Sequence, residues 1–135
     1  MQIKSLFRNY NLHFQNFNFN KINNKDIYII DKNVHNLYFR NFNIKKKIII
    51  LSNERAKSFE KISHILKKFL YYRVNRKTKI NVIGGGVVQD ISSFSCSIYL
   101  RGLKWNFYPT TLLAQADSCI GSKTSINLNR TKNLI

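Results

Sequence analysis

Short runs of β-branched and aromatic residues alternate along this chain with stretches in which apolar positions recur every three or four residues. Asp26 to Ile30 (DIYII) and Lys46 to Leu51 (KKIIIL) read as two buried strands, the first closed by the turn formers Asp31, Lys32 and Asn33. From Glu54 to about Tyr72, Phe59, Ile62, Leu66 and Phe69 line one helical face, while Lys57, Lys61, His64 and Lys68 occupy the other. Ser52 or Asn53 is the expected N-cap of that amphipathic helix. Lys79 to Ile83 predicts a third strand, which runs directly into Gly84, Gly85 and Gly86. Beyond the glycines, Val87, Ile91, Phe94 and Ile98 mark the face of a second helix. Trp105 to Tyr108 predicts a fourth strand stopped by Pro109, with Thr110 or Thr111 capping a helix through about Ser118. Residues 1–25 are Asn-rich, with Tyr10, Leu12, Phe14, Phe17 and Phe19 at loose alternation, which suggests a short hairpin attached to the same domain.

Strands alternating with helices at this spacing predict an α/β domain with a mainly parallel sheet, Rossmann-like, flanked by helices. Ligands of such sheets sit beyond the carboxyl ends of the strands. The polar residues at those ends are Asp31 and Asn33, Glu54 and Lys57, the glycine run with Asp90, and Thr110 with Thr111. Four separate segments are therefore expected to converge on one edge.

Composition changes this picture little. With 135 residues, 44% of them hydrophobic, the chain can fold as one domain, but it is short for an enzyme that encloses both a cofactor and a substrate. The net charge of +17 would by itself suggest a nucleic-acid or anionic-membrane partner. The basic residues are mostly scattered lysines, with one run at Lys45 to Lys47. They accompany 18 Asn and 18 Ile, as expected when codons drift toward A and T. No recognition motif interleaves aromatics with the lysines, so neither a nucleic acid nor a membrane is the expected partner. Cys96 and Cys119 form neither a disulfide framework nor a metal knuckle, and the three histidines lack ligand spacing. No secretory signal or membrane span is legible, and the expected location is the cytoplasm.

A strand, three glycines and a helix make a generic phosphate cradle, because glycine lets backbone N–H groups approach a pyrophosphate at the positive end of the helix. A tight strand-to-helix turn without a ligand would use the same residues. The dinucleotide fingerprint GxGxxG is met at Gly84 and Gly86 but has Gln89 in its third place. Of the six acidic residues, Asp31, Glu54, Asp90 and Asp117 fall at the candidate positions. Taken singly, each reads equally well as a cap or an ion pair, such as Glu54 with Lys57 at i, i+3.

GGGVVQD at Gly84 to Asp90, YLRG at Tyr99 to Gly102, PTTLLAQADSCIGSKTSIN at Pro109 to Asn127 and KN at Lys132-Asn133 closely resemble the core of the 3-dehydroquinate synthase family of sugar-phosphate cyclases. DKNV at Asp31 to Val34 and the Glu54–Lys57 pair match it in the same order, so the resemblance covers roughly residues 26–135. It implies an NAD-binding α/β domain whose cofactor contacts are Asp31, Asn33, Glu54, Lys57, Gly84, Gly85, Gly86, Asp90, Thr110, Thr111 and Lys132. It further implies substrate contacts at Asp117, Lys123 and Asn133, and an Arg101 that reaches the substrate phosphate of a neighbouring subunit, hence a homodimer. The implied reaction cyclises a phosphorylated seven-carbon keto acid, 3-deoxy-arabino-heptulosonate 7-phosphate, with loss of phosphate in the shikimate route to aromatic amino acids. The family's zinc ligands belong to a C-terminal helical domain, so this chain is expected to supply only the NAD-binding half of a site completed by another segment. A related cyclase with a different substrate, or a non-catalytic nucleotide-binding remnant, are the alternatives. Gln89, and Ser122 where the family commonly has glycine, depart from its pattern.

Overall fold

A computed structural model of the chain describes residues 1–3, 10–13, 17–121, 124–128 and 131–133. The predicted strands appear as β3 (Ile27–Asp31), β4 (Lys47–Ile50), β5 (Ile80–Gly84) and β6 (Trp105–Pro109). They form one sheet in the order β4-β3-β5-β6, with every neighbouring pair parallel. The α/β architecture read from the hydrophobic pattern is thus the one the chain adopts. Pro109 is the last residue of β6 rather than a residue beyond it, and it pairs with Gly84. An edge strand tolerates proline because its outer side has no ladder to complete.

Alternation along β3 explains why it is buried on both faces. Ile27 and Ile29 enter one core with Ile62, Ile65, Phe69, Val88 and Ile91, while Tyr28 and Ile30 enter a second with Phe39, Ile44 and Ile83. Two helices cover the first face: α2 (Phe59–Tyr71) and α3 (Gly86–Ile98). The second face is covered by α1 (Lys32–Val34), the helical turn His35–Phe39 that continues it, and Phe17, Phe19 and Phe42. Each fully buried Ile or Phe contributes roughly 1.5–3 kcal/mol relative to exposure.

The amino-terminal region departs in part from expectation. A hairpin does form, but between β1 (Gln2–Ile3) and β2 (Tyr10–Asn11). Phe17 and Phe19 are not part of it. They join an aromatic cluster with Phe39, Phe42 and Tyr108, Phe17 meeting the Tyr108 ring edge-on at 4.9 Å. Phe14 lies outside the described residues.

The helix expected from Glu54 is also divided. Glu54–Ala56 forms a single tight turn, Lys57 leaves helical geometry at ψ 57°, and α2 starts afresh with Ser58 as its N-cap. Neither Ser52 nor Asn53 caps it. At the far end Arg73 adopts φ 54°, its N–H donates to the Leu70 carbonyl and that of Val74 to the Phe69 carbonyl. This paired closure is the Schellman arrangement, completed by burial of Val74 against Phe69. A last helical segment runs through Ala114–Ser118 into α4 (Cys119–Gly121). Among the described residues no helix is long and apolar enough to cross a membrane.

Candidate active site

The chain leaves β3 toward β4 on one side and leaves β5 toward β6 on the other, so the sheet's switch point lies between the carboxyl ends of β3 and β5. A crevice opens at such a point because the two connections diverge. Asp31 ends β3 there and is 6% exposed. One carboxylate oxygen accepts the N–H groups of Asn33 at 2.7 Å and Val34 at 3.1 Å, and the other accepts the Ser52 hydroxyl. Asp31 therefore caps α1, and Asn33 follows it on the surface.

The glycine run ends β5 and starts α3. A Cβ on Gly84 would sit 2.8 Å from the Cβ of Val88, so this glycine is needed for the close approach of helix to strand. A Cβ on Gly85 would meet the Thr111 methyl at 3.0 Å, whereas one on Gly86 would have only the Ser118 hydroxyl, at 4.0 Å. The open approach to the first turn of α3 therefore runs over Gly86. Gly85 is the N-cap and offers no side-chain acceptor, so no cap side chain competes for the amides of that turn. Thr110 donates its backbone N–H to the Gly84 carbonyl at 2.9 Å, and the Thr111 hydroxyl accepts the N–H of Ala114 at 3.2 Å. A free helix N-terminus of this kind favours an anion such as a diphosphate.

Gln89 fills the place of the third fingerprint glycine without separating helix from sheet. It is 4% exposed, and its amide nitrogen donates to the Ser118 carbonyl at 2.6 Å, tying α3 to the Ala114–Ser118 segment. Its amide oxygen is buried without a hydrogen-bond partner. An orphan acceptor next to an uncapped helix start suits a polar ligand that brings donors of its own.

Beside this cradle stands a buried cation. Lys57 is 7% exposed, and its ammonium lies 3.0 Å from the Asp90 carboxylate and 3.5 Å from that of Glu54. It also donates to the Asn133 side-chain oxygen at 2.8 Å and the Ser125 hydroxyl at 3.0 Å. The non-helical backbone at Lys57 lets this side chain turn inward. Glu54, Lys57, Asp90 and Asn133 are thus brought together from three segments: the Glu54–Lys57 turn, α3 and the stretch that carries Asn133.

The remaining candidates are not among the contacts of the Lys57 ammonium. Asp117 is exposed within Ala114–Ser118, one of its oxygens 3.6 Å from where a Gly121 Cβ would be. Lys132 is exposed next to Asn133. Arg101 follows the opposite end of α3, separated from the glycines by roughly 20 Å of helix. It is presented by an unusual turn: Leu100 at φ 49°, Arg101 at φ 64° and Gly102 at φ 113°, with the Arg76 guanidinium donating to the Leu100 carbonyl at 2.9 Å. Lys123 and Ser122 lie outside the described residues. Two site residues, Ser125 and Asn127, had no signal of their own in the sequence beyond lying inside a matched block. Among the described residues no three His, Cys, Asp or Glu side chains are grouped to hold a metal ion. They do not fit a zinc site by themselves.

The fold is that of the N-terminal domains of sugar-phosphate cyclases. It superposes on a 2-epi-5-epi-valiolone synthase from Streptomyces hygroscopicus subsp. jinggangensis, solved with NAD+ and Zn2+ bound, with a TM-score of 0.74 and 28% identity over 82% of this chain and 33% of that one. A 2-deoxy-scyllo-inosose synthase complexed with carbaglucose-6-phosphate, NAD+ and Co2+ superposes with a TM-score of 0.66 and 25% identity, over 87% of this chain and 35% of its own. The chain belongs to the 3-dehydroquinate synthase N-terminal family, whose profile matches residues 47–135. A 3-dehydroquinate synthase of Picrophilus torridus is 49% identical over 110 residues, which is 82% of this chain and 32% of the relative. One of Alkaliphilus metalliredigens is 38% identical over 117 residues, 82% of this chain and 33% of the relative. The chain thus spans about a third of the length of these curated relatives.

Proposed function

We propose that this chain supplies the NAD-binding half of a 3-dehydroquinate synthase-like centre acting on 3-deoxy-arabino-heptulosonate 7-phosphate. The observation that carries the reading is the uncapped start of α3, open over Gly86 at the sheet's switch point, with the buried Lys57–Asp90 pair beside it. In this reading the amides after Gly84, Gly85 and Gly86 hold the diphosphate of NAD. Asp31, Asn33, Glu54, Lys57, Asp90, Thr110, Thr111 and Lys132 surround its riboses and nicotinamide. Asp117, Lys123 and Asn133 meet the substrate.

When bound, NAD supplies a temporary oxidation of a substrate hydroxyl, which makes the neighbouring C–H acidic enough for phosphate to leave. The chain's own residues orient the partners of that chemistry and keep water from Lys57. Its ammonium, held among two carboxylates and two neutral oxygens, is a fixed positive charge that needs no rearrangement to act. Arg101, far along α3 from the cradle, suits a role in the site of a second copy, where its planar fork would grip a phosphate. The 49% identity to a 3-dehydroquinate synthase favours that substrate over those of the two cyclases named above, which are 28% and 25% identical.

Calorimetric titration of the chain with NAD tests the reading, with Gly86→Ala as the comparison. A Cβ at Gly86 meets no neighbour closer than 4.0 Å, so the variant should fold as well as the parent, and alanine favours the helix. The parent should bind NAD and the variant about tenfold more weakly, since the added methyl stands over the amides. No heat with either chain at millimolar NAD overturns the proposal, as does equal affinity in the two.

A further inference from the structure

Lys57 has three N–H donors and four acceptors within 3.5 Å: Asn133 at 2.8 Å, Asp90 at 3.0 Å, Ser125 at 3.0 Å and Glu54 at 3.5 Å. One of these, the Ser125 hydroxyl, is also a donor. Its proton can go to the Asn133 side-chain oxygen at 2.8 Å or to Asp90 at 3.4 Å, and the shorter distance favours Asn133. Ser125 therefore touches Lys57, Asp90 and Asn133, and adds a second link to Asn133 beside its direct bond with Lys57.

Asn127 fixes the backbone on which this depends. Its N–H donates to the Lys57 carbonyl at 2.8 Å, its side-chain nitrogen to the Glu54 carbonyl at 3.0 Å, and its side-chain oxygen accepts the N–H of Asn133 at 2.9 Å. Ile126, between Ser125 and Asn127, is fully buried in the core of the α2–α3 face. The segment is held by one apolar anchor and a polar contact on each side of it. Asn133 itself sits at φ 54°, a left-handed conformation that asparagine adopts more readily than most residues other than glycine.

We propose that Ser125 is a positioning residue that sets the Asn133 side chain against the Lys57–Asp90 pair, with Asn127 clamping the backbone of Lys57 and Asn133 together. A nucleotide that engages Lys57 or Asp90 is then felt at Asn133 through this hydroxyl as well as through the direct Lys57 contact at 2.8 Å. The inference rests on the reading of Lys57 and Asp90 as cofactor contacts and Asn133 as a substrate contact. Ser125→Ala isolates the effect, because Asp90, Asn133 and Glu54 still offer one acceptor for each Lys57 donor, so the buried charge stays satisfied. Asn133 meanwhile loses one of its two donors.

The test is nuclear magnetic resonance of the Asn133 side-chain amide in the parent, Ser125→Ala and Ser125→Thr chains, first alone and then with NAD. Without nucleotide, Ser125→Ala should move the Asn133 amide signals while the methyl signals of Ile44, in the core on the other face of the sheet, stay put, and Ser125→Thr should restore the parent positions. With NAD, the Asn133 response of the parent should be at least halved in Ser125→Ala, although affinity falls no more than about fivefold, the effect of one neutral hydrogen bond. Unmoved Asn133 signals in Ser125→Ala overturn the positioning role whatever NAD does. If NAD leaves the parent spectrum unchanged, the cofactor reading fails instead, and the nucleotide-free comparison still decides the role of Ser125.

Discussion

Lys57 decides whether the crevice is a folded feature or a site, because a buried ammonium is tolerated only when its charge and its donors are met. With its side chain 8% exposed and that of Asp90 15% exposed, the pair is nearly removed from water, and water screens it little. Lys57→Met strands Asp90 and should lower unfolding stability by about 3–5 kcal/mol, whereas Asp90→Leu leaves Lys57 the Glu54 carboxylate at 3.5 Å and should cost about 1–3 kcal/mol. The double variant replaces a charged pair with apolar volume and should recover about 1–3 kcal/mol relative to the sum of the two singles. Urea unfolding of the four chains measures this. Additive losses, or single losses below about 1 kcal/mol, would mean that Glu54 and the neutral oxygens of Ser125 and Asn133 satisfy Lys57 without Asp90. Gln89 makes the related point that a departure from a motif can be accommodated locally. Its amide takes a carbonyl on the neighbouring helix instead of pushing α3 away from the sheet, since the closeness of helix and strand is set at Gly84 against Val88.

At the scale of elements, what the sequence reveals depends on how local the cause is. The isoleucine runs of β3, β4 and β5 and the apolar stripes of α2 and α3 were legible because burial on the sheet demands period-two and period-3.6 patterns. The break at Lys57 was not legible. Its residues suit a continuous helix, and the interruption follows from contacts with Asp90, Ser125 and Asn133, which are 33, 68 and 76 positions away in the chain. Phe17 and Phe19 misled for the same reason, since alternation shows that a face is buried but not which partner buries it. The acids of the site stood out because the chain has only six. Ser125 and Asn127 carry no such rarity. The end of α2 offers a test of local strain, for Arg73 closes the Schellman turn at φ 54°, where glycine is at ease and arginine is not. Arg73→Gly should raise stability by about 0.5–1 kcal/mol, a gain of a few degrees in Tm by calorimetry. A drop in Tm would show that the arginine side chain contributes more than its backbone loses.

Over the whole molecule, the +17 charge sets the background against which pH acts. Raising the pH removes positive charge and eases self-repulsion, which alone would stabilise the fold. The buried acids oppose that trend. Cys96 is fully enclosed in the core of the α2–α3 face, and burial pushes its thiol from 9.0 up to about 12. Burial also raises the hydroxyls of Tyr28 and Tyr108. Above pH 9 the unfolded chain releases the Cys96 proton while the folded chain keeps it, so the unfolded state binds fewer protons and stability falls by up to about 1.4 kcal/mol per pH unit from this group. Comparing the parent with Cys96→Ala cancels the contribution of the lysines and tyrosines, which both chains share. At pH 7 the variant should be the less stable by about 1 kcal/mol, because a buried sulfur is lost. The gap should close as the pH passes from 9 toward 11, because only the parent still pays to keep a thiol protonated in its core. Urea midpoints at pH 7, 9 and 10.5 give the gap directly, and a gap that stays constant would mean that Cys96 ionises as readily in the folded chain as in the unfolded one.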